Sequence, residues 1–437
     1  MDFKVMVDGI PIQNGTGDWQ CAYNNKGRMF YFRDAAGAWR KRDLILTRLT
    51  LRGHGLNGSA RKGENLSEVD QAVKYIIDNN EVDFAIPLAG YPEGRLEVGG
   101  STLLVTRSAP PLASKEGGFP MLRKFLIDLL GEEPFLHHMG WWQWARKSLS
   151  GVPVLPGQAM IYVGPSGAGK SFIQKLTTRL LGGQQPGKPF AYMAGRTTFN
   201  SELFYASHLV IEDEFADMGA KGRREFGARL KELVVNEYVS CHGKGQEAVI
   251  LRPKWRVSMS MNNEEEHLQV LPPMEPSTLD KMMLFTCNRP EFPYDLSTTD
   301  GWEKWNKTVA DELPALAHAI DTFEIPQRMV ETRYGVKPWH SKTIVNRESD
   351  NAPEEKLWHC IEHDLPLILD GKSYWEGRSL DLERELTRAS MPSSLQARAL
   401  FSWPGACGTY LGRLLKSHGD KVSKRMVKGY NKFRIQF

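Results

Sequence analysis

Cysteine is scarce in this 437-residue chain: five residues, Cys21, Cys241, Cys287, Cys360 and Cys407, odd in number, scattered, and never in a CxxC pair. That pattern indicates neither a disulfide framework nor a zinc ribbon, and it fits a reducing compartment. Long apolar runs are also lacking, so no stretch approaches the length needed to cross a bilayer. The first residues, with Asp2, Lys4 and Asp8, contain no signal-peptide core. The expectation is a cytoplasmic protein with no membrane partner. Charge excess is missing too: a net charge of +4 argues nothing globally. There is no internal repeat and no long low-complexity tract, which excludes solenoids and fibrous classes. What is present, 41% hydrophobic and 25% charged residues, is the composition of a chain able to pack about two to four domains.

Against that background one run carries chemistry. Residues 164 to 171 read GPSGAGKS and satisfy G-x-x-x-x-G-K-[ST] at every required position. Gly164, Gly167 and Gly169 let backbone N–H groups turn toward phosphates, with Pro165, Ser166 and Ala168 completing the loop. Lys170 reaches the β/γ oxygens, and the Ser171 hydroxyl is a ligand for Mg²⁺. The flanks agree: Met160 to Val163 reads as a buried strand, and Phe172 to Leu181 as a helix with Phe172, Ile173, Leu176 and Leu180 on one face. The implied cofactors are ATP and Mg²⁺.

A phosphate-loop ATPase also needs acids at the end of a buried strand, and the run from His208 to Glu214 supplies them. Asp213 would hold Mg²⁺ through water and Glu214 would polarise the attacking water, although Glu212 and Asp213 are an alternative register. A third strand, Trp255 to Met261, ends on Asn262-Asn263, making Asn262 the candidate that orients the lytic water. Between these strands, residues 241 to 246 read CHGKGQ and form the tip of an expected β-hairpin. His242 and Lys244 on that tip suit a nucleic-acid backbone, and a solvated turn is the alternative.

The remaining organisation is coarser. Residues 1–110 mix short strands with helical runs such as Glu68 to Asn79 and read as an accessory domain. Proline-rich Ser108 to Pro120 marks a boundary, followed by a helical connector over 111–150 that bears Trp141, Trp142 and Trp144. Those tryptophans suit packing better than base stacking. The ATPase core spans 151–340, the polar stretch 341–355 reads as a linker, and 356–437 is a largely helical end with a basic tail. In that tail a helix over Gly408 to His418 turns Arg413 and Lys416 outward, and a hairpin turns near Lys428-Gly429, a combination that suggests a winged helix on duplex or forked DNA. His359 and His363, at i and i+4, have no third ligand nearby and are not read as a metal pair.

The order of phosphate loop, acidic strand end, basic hairpin and Asn-tipped strand resembles the superfamily 3 helicases of the AAA+ class. Finer text resembles the primase-helicase proteins of phages and mobile elements: AGYPEG (Ala89 to Gly94), TTFNSEL (Thr197 to Leu203), HGKGQEA (His242 to Ala248), LPPMEPSTLDK (Leu271 to Lys281) and RYGVKPWH (Arg333 to His340). The resemblance covers about Leu49 to the C-terminus. It implies an α/β fold: an AAA+ superfamily 3-type ATPase core, an N-terminal α+β accessory domain and a C-terminal winged-helix-like domain. It also implies an ATP-dependent DNA helicase that assembles as a homo-hexameric ring and serves phage or mobile-element replication in a bacterial host cell. An ATP-switched initiator or helicase loader without unwinding is the alternative. Two departures matter. No primase domain precedes the helicase portion here, so a separate primase or polymerase is the expected partner. Where such rings place an arginine finger, this chain has Asp280-Lys281, so Lys281 is the expected cation supplied in trans, with Arg289 as second choice.

Overall fold

Alternating aromatic residues set the first elements. In the computed structural model, which describes residues 6–7, 10–11, 20–151, 156–212, 220–244, 248–264, 271–272, 274, 276–350, 352–369, 371–427 and 429–436, β1 (Cys21–Asn24), β2 (Met29–Arg33) and β3 (Trp39–Arg42) form an antiparallel meander. Phe30 and Phe32 point to one face, where Val69, Val73 and Ile76 of helix α2 (Glu68–Asn79) cover them. Helix α1 (Leu44–Gly53) is capped by the Asp43 carboxylate, and α2 by the Ser67 hydroxyl, each accepting a first-turn N–H. Strand β4 (Glu81–Val82) pairs with β1, and β5 (Phe84–Ile86), β6 (Gly94–Val98) and β7 (Ser101–Val105) form a second small sheet in the order β5-β7-β6.

Helices α3 (Pro120–Leu130) and α4 (Glu132–Leu149) follow. Trp142 is fully buried and its Nε1 donates to Thr177 Oγ1 at 3.0 Å; Trp141 donates to the Gln158 carbonyl at 2.9 Å. These rings are packing groups.

The core sheet comes next. Strands β8 (Ala159–Val163), β9 (His208–Ile211), β12 (Arg256–Met261) and β13 (Met282–Thr286) are all parallel, in the order β9-β12-β8-β13. All four are buried on both faces apart from a partly exposed Thr286, as parallel strands sandwiched by helices must be. Helix α5 (Lys170–Leu180) packs on one face through Ile173, Leu176 and Leu180. Helix α6 (Ala220–Val235) leads to a separate hairpin, β10 (Val239–Cys241) with β11 (Val249–Leu251), and α7 (Thr299–Asp321) closes the core with Trp305. Both sheet edges are covered: Gly187 bridges to Leu209, and the 339–341 segment pairs with Leu284.

Residues 1–341 and 342–437 are two compact units. The second has its own core. The polar stretch read as a linker is helical over Lys342–Asp350 (α8), with Ile344 buried. Then come α9 (Pro353–Leu369), β14 (Tyr374–Gly377), α10 (Ser379–Leu386), α11 (Ser394–Leu400), α12 (Ala406–Ser417), β15 (Val422–Val427) and β16 (Tyr430–Gln436), with sheet order β14-β16-β15. Among the described residues no helix is long and apolar enough to cross a membrane.

Candidate functional site

The strand order dictates where a ligand fits. The chain leaves β8, runs out to the edge strand β9, returns through β12 and crosses to β13 on the far side of β8. At such a reversal a crevice opens beyond the carboxyl ends of the strands, and the loop from Gly164 to Gly169 occupies it.

Glycine is required in that loop for two different reasons. Gly167 and Gly169 adopt φ of +76° and +95°, conformations costly for any L side chain. Gly164 faces the chain after β13: a Cβ there would lie 2.4 Å from the Cys287 carbonyl oxygen. With α5 beginning at Lys170, the positive end of the helix faces the loop, the arrangement that favours an anion. Lys170 is 7% exposed, and its Nζ donates to the carbonyls of Gly164 (2.7 Å) and Pro165 (2.9 Å) and to Asn262 Oδ1 (2.9 Å). Asn262 follows β12, the neighbour of β8, so sheet pairing brings together two residues far apart in sequence. Burial pushes the Cys287 thiol up to about 12, with the Lys170 charge pulling the other way. The positive-φ glycines, the helix start and the lysine in the mouth fit a polyphosphate.

Ser171 is exposed in the first turn of α5. Asp213 and Glu214 lie outside the described residues. Their neighbour Glu212 follows β9, and its Oε2 accepts from Lys188 Nζ. Arg289, expected to act on a neighbouring copy, lies against its own loop, Nη2 donating to the Ser166 carbonyl at 3.1 Å. Lys281 precedes β13, at the amino end of the sheet, a strand length of roughly 15 Å from the loop. Its Nζ is held by the Ser277 carbonyl (2.7 Å) and Asp280 (2.8 Å). The structure therefore brings Lys170, Asn262 and Arg289 together and leaves Lys281 apart.

The hairpin residues His242 and Lys244 both precede residues 245–247, which lie outside the described residues; Lys244 is exposed. Sequence reasoning missed what holds the hairpin. Asn200, 2% exposed, donates from Nδ2 to the Ser240 carbonyl at 2.8 Å and accepts from the His242 N–H at 2.8 Å. On the other flank Tyr91 Oη donates to the Arg252 carbonyl at 2.7 Å, and Lys254 donates to the Gly90 carbonyl at 2.6 Å. Both anchors sit in segments singled out above, TTFNSEL and AGYPEG, and that was their only signal. In the second unit, Arg413 Nη1 pairs with Glu354 at 3.0 Å, Lys416 is exposed, and Lys428 lies outside the described residues. Among the described residues no cluster of three or more potential metal ligands occurs.

A model of a family of unknown function, DUF5906, matches residues 162–275, which run from β8 to just before β13. No curated protein matches the sequence. The apo C-terminal region of NrS-1 is similar in structure, with TM-score 0.54 and 13% identity over 95% of each chain. The A form of the same region gives 0.53 and 12%, over 95% of this chain and 96% of that one. At that identity the likeness is one of fold: a mixed α/β chain around a parallel sheet, shared across nearly the whole length of both proteins. A JCV helicase superposes at a TM-score of only 0.24 over 56% of this chain, too low to carry any argument.

Proposed function

We propose that this chain is an ATP-driven helicase of the AAA+ superfamily 3 type, acting on DNA during replication of a phage or mobile element. The observation that carries the reading is the bond from Lys170 Nζ to Asn262 Oδ1 at 2.9 Å, which unites a phosphate-loop lysine with a polar strand tip at the sheet's switch point.

Bound Mg²⁺·ATP would supply a polarised γ-phosphate for attack by water. Toward it, the loop N–H groups and Lys170 bind the β and γ oxygens, and Ser171 and Asp213 hold the ion. Glu214 accepts the water's proton and Asn262 orients that water. The pairing of Glu212 with Lys188 supports the register in which Asp213 and Glu214 do this work. Arg289 steadies the loop in its own subunit. A second cation, Lys281, is supplied by the adjacent copy of a homo-hexameric ring, with the hairpin of His242 and Lys244 tracking DNA. Residues 1–110 serve as an accessory domain, 111–150 as a connector, 151–340 as the motor, and 356–437 as a winged-helix-like domain bearing Arg413, Lys416 and Lys428.

The test is displacement of a labelled strand from a forked duplex, measured with ATP hydrolysis in the same tube. Wild type should do both and Lys170→Ala neither. DNA-stimulated hydrolysis without displacement would replace the helicase reading with an ATP-switched initiator or loader. Wild-type turnover in Lys170→Ala would remove the site assignment itself.

A further inference from the structure

The three-stranded sheet of the second unit has one covered and one open face. Trp375, Phe433, Ile435 and Val422 point into the core. The alternate positions, Tyr374 and Glu376 on β14, Tyr430, Lys432 and Arg434 on β16, and Arg425 on β15, fall on the other side. On that side Tyr374 is 40% and Tyr430 42% exposed. Each ring is backed by a guanidinium: Arg434 lies 3.9 Å from the Tyr374 ring centroid, and Arg378 lies 5.5 Å from that of Tyr430. Among the described residues at these open-face strand positions the carboxylate is Glu376, shared by Arg425 at 2.7 Å and Lys432, while Arg378 beside Tyr430 pairs with Asp381 at 3.2 Å; Arg434 adds a further cation to the face.

We infer that this open sheet face is a binding platform for single-stranded nucleic acid, with Tyr374 and Tyr430 as stacking surfaces and Lys432, Arg434 and Arg425 as phosphate contacts. The choice of ligand follows from shape and charge. Aromatic rings backed by cations suit an unpaired base above and a phosphate beside it. A duplex keeps its bases stacked inward, and its major groove admits a helix or a two-stranded ribbon, not a flat three-stranded face. Tyr430 and the β16 position opposite Tyr374, Gln436, are six residues apart, about 20 Å at roughly 3.4 Å per residue, so the two rings engage bases several nucleotides apart on one strand. This site adds β14 and the flat face of the strands to the hairpin that the sequence nominated for its tip, and it rests on the helicase reading only in expecting nucleic acid at all.

The experiment is fluorescence anisotropy with the full chain and no nucleotide, comparing labelled oligothymidylate, oligouridylate and a duplex of equal length. Tyr374→Ala and Tyr430→Ala should each weaken single-strand binding by roughly tenfold with an unchanged salt slope, while the Phe variants keep wild-type affinity. Lys432→Ala should instead lower the slope by about 0.7. Tighter binding of the deoxy or the ribo strand names the biological ligand, and either supports the platform. In the wild-type chain, photocrosslinking of a halogenated-pyrimidine oligomer should map to Tyr374 or Tyr430, a readout independent of variant folding. Unchanged affinity in both Ala variants, equal losses in the Phe variants, duplex binding as tight as single-strand binding, or crosslinks only elsewhere would overturn the inference. Because the assay contains no ATP, tyrosine-dependent binding stands even where hydrolysis or strand displacement fails.

Discussion

Arg289 and Lys281 carry the same charge but stand at opposite ends of the core sheet, which under the proposed ring assigns them to different copies of the chain. Arg289 donates to the Ser166 carbonyl of its own loop, whereas Lys281 is held at the opposite end of the sheet. Complementation separates these cases. Mixing Lys281→Ala with Lys170→Ala subunits should recover ATPase activity, because one interface then pairs an intact loop with an intact partner cation. Mixing Arg289→Ala with Lys170→Ala should recover none, since no subunit has both groups. Recovery in the Arg289 mixture would move that arginine back to a trans role. At Glu214, replacement by Gln should slow hydrolysis by roughly 10²-fold or more with nucleotide still bound; Glu212→Gln, which removes only the partner of Lys188, should cost far less. A reversed ranking in single-turnover rates would shift the register by one residue. Gly167 and Gly169 were legible in the sequence because each answers a local backbone demand, and Gly164 was legible from the motif spacing alone. The position of Arg289 was not: it depends on β13 lying beside β8, a pairing that no local pattern encodes.

Elements with a strong periodic signal, such as α2 over Glu68–Asn79, were readable because their apolar positions report burial directly, and the hairpin of β15 and β16 was readable from its expected turn at residues 428–429. Residues 342–350 were not, since a short helix with one buried isoleucine looks like any polar stretch. The hairpin of β10 and β11 was readable as a shape, but its support by Asn200 was not. Asn200→Ala strips the partner from the His242 N–H, a loss of about 1–3 kcal/mol. It should weaken nucleic-acid stimulation of the ATPase while leaving nucleotide affinity intact. Equal loss of both, read by titration with a fluorescent nucleotide, would make Asn200 a general packing residue. Beneath α5 two histidines answer to pH. His138, in contact with Tyr162 Oη at 2.6 Å, and His208, whose Nδ1 lies 2.8 Å from Thr178 Oγ1, are fully buried, and burial holds both down at about 3. In the unfolded chain each takes up a proton near 6.5, so the unfolded state binds more protons between about 3 and 6.5. Stability should therefore be full above 6.5 and fall as pH drops below it, by up to about 1.4 kcal/mol per unit for each histidine. Thermal melts at pH 7.5 and 5.5 should show the drop, and a smaller one in His138→Phe; a flat profile would contradict it.

At the scale of the whole molecule, the division at residue 341 makes a prediction that neither unit makes alone. Removing 342–437 should leave nucleotide binding in place, because the loop, Asn262 and Arg289 all belong to the first unit. It should also weaken nucleic-acid affinity and flatten its salt dependence. An unchanged salt slope would mean that the basic tail is a solvated surface. One contact in the first unit has a mechanical meaning. Gly164 and the Cys287 carbonyl meet backbone to backbone, with no space for even a methyl group between them. Side chains cushion displacement by changing rotamer, and here there is no cushion. Any shift of the loop at Gly164 would therefore press on the chain that leaves β13. The stretch that follows carries Arg289 and runs on to the start of α7, so under the proposed function this backbone contact is where a change at the phosphate loop would first be felt outside it.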